Sequence, residues 1–155
     1  MQNSWRSVHP LSFSSTAVDL RVEKHTIQGM ARILVIDDEA SILNMLKVLL
    51  SIEGHQVVAH QEAASAMELV CQEDFDLVIT DLRMTPINGI EVLKYVREQR
   101  PALPVIIMTA YGQVETAIES MQVCAFEYLK KPFRAADLLS TVRKALEMSA
   151  SQQNG

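Results

Sequence analysis

Cysteine is nearly absent from this chain: Cys71 and Cys124 are the only two. Both fall in apolar stretches without a paired spacing, so reduced thiols in a cytoplasmic protein are expected rather than a structural bridge. Long apolar runs are missing as well. None approaches the roughly 18 residues that a membrane span requires, and the Ser-rich, polar start lacks the apolar stretch of a secretory signal. Positive charge is not in excess. Lysine and arginine number 14 against 19 acidic residues, a net charge of −5, which gives no electrostatic footprint for direct nucleic-acid binding or an anionic membrane. What is there is ordinary for a globular protein: 155 residues, 48% hydrophobic and 21% charged. That is enough for one domain to bury a core without disulfides or a structural metal.

The first 29 residues differ from the rest. They scatter Ser4, Ser7, Ser12, Ser14, Ser15 and Thr16 among isolated charges, and a disordered extension over 1–29 is expected. From Arg32 onward short apolar runs alternate with longer amphipathic stretches. Strands are expected over Ile33–Ile36, Gln56–Ala59, Leu77–Thr80, Val105–Met108 and Phe126–Leu129, rich in the Val and Ile of strands buried on both faces. Between and after them Ile42–Leu50, Ala63–Val70, Ile90–Val96, Val114–Met121 and Ala135–Leu146 carry helical spacing. Gly54 supplies the stop after the first helix. Five βα units in a row imply an α/β fold: a flavodoxin-like (βα)5 doubly wound parallel sheet with strand order 2-1-3-4-5. The folded unit is expected over 30–149, with 150–155 a tail or the start of a linker.

In that order ligands belong at the carboxyl ends of the strands, beside strand 1. Strand 1 ends in Asp37-Asp38-Glu39, strand 3 in Asp81, strand 4 in Thr109 and strand 5 in Lys130-Lys131-Pro132. Singly, each has a plain explanation as a cap, a turn former or a solvated charge. Jointly, at the ends of adjoining strands about 4.8 Å apart, they converge on one crevice. Asp38 and Asp81 could not both stay ionised there without a cation. Mg²⁺, with Mn²⁺ as an alternative, suits a few carboxylates, a carbonyl and retained waters. Lys131 adds a second positive charge that would keep Asp81 ionised. A carboxylate so placed is a competent nucleophile toward a phosphoryl group, giving an aspartyl phosphate, with the Thr109 hydroxyl as donor to a phosphoryl oxygen.

These segments resemble the receiver domain of two-component response regulators: ILVIDDE at 33–39, DLVITDLRMTPINGIEVL at 76–93, VIIMTAYG at 105–112 and AFEYLKKPF at 125–133. The resemblance implies that Asp81 is the phosphoacceptor and that Asp38 is a direct Mg²⁺ ligand. It makes the Arg83 backbone carbonyl a further ligand and has Asp37 act through metal-bound water. It makes Thr109 the switch hydroxyl, Tyr128 the switch aromatic and Lys131 the phosphoryl-contacting lysine, aimed by a cis bond before Pro132. Lys130 should point the other way. The implied partners are a sensor histidine kinase or phosphotransfer protein and a downstream effector or output domain. Homodimerisation on phosphorylation is a further outcome. The change would surface on the face formed by the fourth helix, fifth strand and fifth helix.

Two departures stand out. Thr85 takes the place of the usual proline after Met84, with Pro86 one residue later and the spacing to Gly89 kept. Cys124 replaces the glycine that usually ends the fourth helix. Three other readings fit less well. A haloacid-dehalogenase-like phosphatase resembles Asp-x-Asp, but Asp81 is followed two places later by Arg83, leaving no acid/base. A nucleotide or flavin module would need a glycine-rich loop after strand 1, where this chain has Asp37-Asp38-Glu39-Ala40. A degenerate scaffold would lack phosphorylation residues, and every one is present. A signalling domain with only self-catalysed phosphotransfer and dephosphorylation is therefore expected, not a conventional enzyme.

Overall fold

The computed structural model describes residues 30–110 and 125–154. Five strands, β1 Arg32–Ile36, β2 Gln56–His60, β3 Leu77–Asp81, β4 Val105–Thr109 and β5 Glu127–Lys130, form one sheet in the order β2-β1-β3-β4-β5. Every pairing is parallel. Four helices accompany them among the described residues: α1 Ala40–Ile52, α2 Ala63–Gln72, α3 Gly89–Gln99 and α4 Ala135–Asn154. The expected fold class and strand order are both met.

Alternation along the strands divides the core in two. Leu34, Ile36, Val78, Val105 and Ile107 pack with α2 and α3, whereas Ile33, Val35, Leu77, Ile79, Ile106 and Met108 pack with α1 and α4. Central strands β3 and β4 are buried along their whole length, as strands covered on both faces must be. Helix α1 is held by Leu43, Leu46 and Leu50 and stops where Gly54 takes φ 92°, a left-handed conformation that glycine adopts without a Cβ penalty. Helix α3 starts on a capping box: Asn88 Oδ1 accepts from Glu91 N–H at 2.9 Å, and Glu91 Oε2 accepts from Asn88 N–H at 3.0 Å.

The amino ends of the strands are closed by matched polar groups. Arg32 N–H donates to Asp76 Oδ2 at 2.8 Å, while its guanidinium pairs with Glu73 and lies 4.8 Å from the Phe75 ring centroid. Arg100 donates to the carbonyls of Val70 at 3.1 Å and Cys71 at 3.3 Å, the orphan acceptors at the end of α2. His55 is buried, and its Nδ1 accepts from Ala31 N–H at 3.3 Å.

Several expectations need correction. The last helix does not end at Leu146 but runs to Asn154, because Ser149 to Gln153 contain neither glycine nor proline to stop it. Strand β5 begins and ends one residue later than expected, and β3 includes Asp81 itself. Cys71 is exposed rather than apolar in its surroundings, with Sγ 2.8 Å from the Tyr95 hydroxyl. The extension over 1–29, the helix over Val114–Met121 and the cap at Cys124 lie outside the described residues.

Candidate functional site

Two strand ends deliver the three acidic groups. Asp37 follows β1 directly, its N–H donating to His60 O at 3.2 Å at the end of β2. Its Oδ1 accepts from Glu39 N–H at 2.9 Å, a turn that brings the chain round into α1. Asp38, next in sequence, is exposed at the mouth, where Gln61 Nε2 donates to its backbone carbonyl at 3.2 Å. Asp81 ends β3 and is buried. One oxygen from each of Asp37, Asp38 and Asp81 can lie within 4.8 Å of the others.

Lys131 enters from beyond β5. Its backbone N–H donates to Thr109 O at 2.7 Å, continuing the ladder that pairs Thr109 with Lys130. The Lys131–Pro132 bond is cis, as expected, and so is Thr85–Pro86, which was not expected. Lys130 is exposed. Lys131 Nζ sits 2.9 Å from Asp37 Oδ2 and 3.3 Å from Asp81 Oδ1. Thr109 is buried at the end of β4, its hydroxyl donating to Ala110 O at 3.2 Å. Tyr128 lies in the middle of β5, packed against the core shared with α2 and α3.

The charges do not balance. Burial pushes the Asp81 carboxyl above the usual carboxylate range, the Asp37 charge raises it further, and Lys131 recovers only part. Without the cation that the sequence reading places beside it, Lys131 alone does not offset burial and the Asp37 charge. Burial alone would lower the Lys131 ammonium, but its hydrogen bond to Asp37 and the charge of Asp81 outweigh that and raise it. Asp37, fully buried, is the nearer partner of Lys131. That pairing was not legible from the sequence, where both residues were assigned to the metal and the phosphoryl group.

Three clustered carboxylates beside one ammonium leave excess negative charge, and their donors are all hard oxygens. That donor set fits a divalent cation of the Mg²⁺ type. Arg83 is exposed in the loop after β3, between buried Leu82 and Met84. The residues that sequence reasoning missed are Gln61 and His60, which hold the backbone of the acidic turn from β2. Their only signal is that β2 is the neighbour of β1.

Comparison with known proteins gives one consistent result. Residues 33–143 match the family described as response regulator receiver domain. Among curated relatives, the transcriptional regulatory protein ZraR of Escherichia coli K12 is 43% identical over 114 residues, covering 74% of this chain and 26% of that protein. The response regulator protein FleR of Pseudomonas aeruginosa is 39% identical over 127 residues, covering 81% of this chain and 27% of FleR. The chain thus spans about a quarter of the length of these relatives. Among solved structures, a response regulator receiver domain protein from Clostridium thermocellum superposes with a TM-score of 0.73 at 37% identity, covering 76% of this chain and 95% of that one. NtrX from Brucella abortus gives 0.77 at 31% identity, covering 81% and 29%.

Proposed function

This chain belongs to the response-regulator receiver family of two-component signalling, and from that premise we propose that Asp81 accepts a phosphoryl group in the acidic crevice. The observation that carries the reading is the placement of Asp81 at the end of β3. It lies 3.3 Å from Lys131 Nζ, and one of its oxygens lies within 4.8 Å of oxygens from Asp37 and Asp38, a set that would hold a cation. An Asp81 carboxylate oxygen forms the new bond to phosphorus. The bond from phosphorus to the donor breaks, its electron pair staying on the donor: an imidazole nitrogen of a phosphohistidine, or the oxygen of a small acyl phosphate. Lys131 and the Thr109 hydroxyl meet the phosphoryl oxygens, and Asp37 keeps Lys131 oriented toward them. Asp38, Asp81, the Arg83 carbonyl and, through water, Asp37 would hold Mg²⁺ or Mn²⁺. When bound, the cation would neutralise charge on the transferring group.

The sensor histidine kinase or phosphotransfer protein would be the donor. An effector or an output domain in a longer protein would read the result, with homodimerisation as one form of that readout. A single folded unit from 30 onward, with α4 continuing past the expected boundary at 149 to Asn154, fits this assignment, as does a cytoplasmic location. Among the described residues no helix is long and apolar enough to cross a membrane. Output would pass from the phosphoryl group to Thr109 and then to Tyr128, two neighbouring strands converting a local charge event into a surface change. Intact mass after incubation with acetyl phosphate and Mg²⁺ tests the reading. One phosphoryl group should add to wild type and none to Asp81→Asn or to chelated protein. Undiminished labelling of Asp81→Asn would overturn it.

A further inference from the structure

Helix α3 begins on top of the phosphoacceptor's own peptide bond. A Cβ at Gly89, the first residue of α3, would collide with the Asp81 carbonyl oxygen and stand 2.9 Å from Leu82 Cα and 3.1 Å from the Asp81 carbonyl carbon. All three are backbone atoms, which cannot swing aside as the end of a side chain can. Gly89 has no positive φ, so it is space rather than conformational freedom that demands glycine here. Its N–H donates to Leu82 O at 2.8 Å, and Leu82 N–H donates to Met108 O at 2.8 Å on β4. From the strand side, the buried Thr80 hydroxyl donates to the same Asp81 carbonyl at 3.1 Å. The Asp81–Leu82 peptide is therefore gripped by α3, by β4 and by Thr80.

We infer that Gly89 and Thr80 are positioning residues for the Asp81 nucleophile, clamping its peptide so that the carboxylate meets Lys131 and the cation site in register. Neither residue reaches the phosphoryl group itself. The inference rests on the phosphoacceptor reading above and asks more of it: the site must depend on the seating of one peptide, not only on which side chains surround it. Misplacing a reacting group by about 1 Å can cost on the order of a hundredfold in rate, so a methyl group wedged at position 89 should be felt.

The test compares Gly89→Ala, Thr80→Val and Asn88→Ala with wild type, each checked for folding by urea denaturation. Mg²⁺ affinity is read by calorimetry, and the rate of labelling by acetyl phosphate by intact mass. Asn88→Ala removes half of the capping box without touching the Asp81 peptide. It should lower stability while leaving Mg²⁺ affinity and labelling rate within about twofold of wild type. Gly89→Ala should weaken Mg²⁺ binding and slow labelling by roughly tenfold or more, and the near-isosteric Thr80→Val by a smaller factor. If Gly89→Ala does not fold, Thr80→Val decides. Wild-type affinity and rate in the folded variants, or an equal loss in Asn88→Ala, would overturn the inference. A wild type that neither binds Mg²⁺ nor becomes labelled would instead sink the phosphoacceptor reading.

Discussion

The two ends of the sheet treat charge in opposite ways. At the amino ends Arg32 meets Glu73 and Asp76, Arg100 covers the last carbonyls of α2, and His55 accepts a backbone N–H. At the carboxyl ends Asp37, Asp38 and Asp81 cluster together, and only Lys131, paired with Asp37 and Asp81, faces them with positive charge among the described residues. The first arrangement satisfies orphan groups and stabilises the fold. The second leaves negative charge in excess, which disfavours the cation-free fold and suits a divalent cation. A residue's effect on stability and its effect on labelling should accordingly separate by which end it occupies.

The largest break in this contrast should come from Lys131→Met. It leaves Asp37 fully buried without its ammonium partner and should cost about 3 kcal/mol in chemical denaturation without Mg²⁺. Added Mg²⁺ should return part of the loss. Equal stability of mutant and wild type would mean that the pair at 2.9 Å contributes nothing net.

Asp81→Asn should do the reverse, raising stability by about 1 kcal/mol in Mg²⁺-free buffer near neutral pH while abolishing labelling. The sign follows from the raised Asp81 carboxyl. A group with a raised folded-state pKa stabilises below its unfolded value and loses that contribution as pH rises through the folded value. The gap between mutant and wild type should therefore open with rising pH and close toward about pH 3. A gap independent of pH would contradict the electrostatic cause.

Arg100→Ala, at the other end, should lower stability by about 1 kcal/mol through the loss of its bonds to Val70 and Cys71 carbonyls. Labelling of the folded fraction should stay at the wild-type rate. A parallel loss of labelling would show that the two ends are coupled.

His55 gives the smallest effect. Burial lowers its imidazole pKa despite the nearby charges of Glu53 and Asp76. The unfolded chain then takes up the proton more readily, and stability falls as pH drops through the ordinary histidine value of about 6.5 toward the folded one. Wild type should lose more stability than His55→Gln between about pH 7.5 and about pH 5.5. Identical slopes would remove His55 from the account.

The carboxyl-end half of this contrast was legible in the sequence, because burial on both faces forces apolar strands and the flavodoxin-like strand order then says which strand ends adjoin. Asp38, Asp81, Thr109 and Lys131 could be placed in one crevice on those grounds alone. What the sequence could not show was distance. Whether Lys131 serves Asp37 or Asp81 turns on ångströms between residues 94 and 50 positions apart. The contact of Gly89 with the Asp81 peptide likewise depends on how α3 docks, and the reach of Arg100 to α2 joins residues 30 apart. The run of α4 to Asn154 escaped for another reason: a helix without a stop signal has no end that a pattern can mark.

The central claim is that Asp81 alone carries the phosphoryl group. Borohydride reduces an acyl phosphate to an alcohol, converting the modified aspartate to homoserine. Wild-type protein treated with acetyl phosphate and Mg²⁺, reduced and digested, should yield homoserine at position 81, with Asp37 and Asp38 unmodified. Homoserine at either of those residues, or at no aspartate in a protein that has gained a phosphoryl group, would contradict the account.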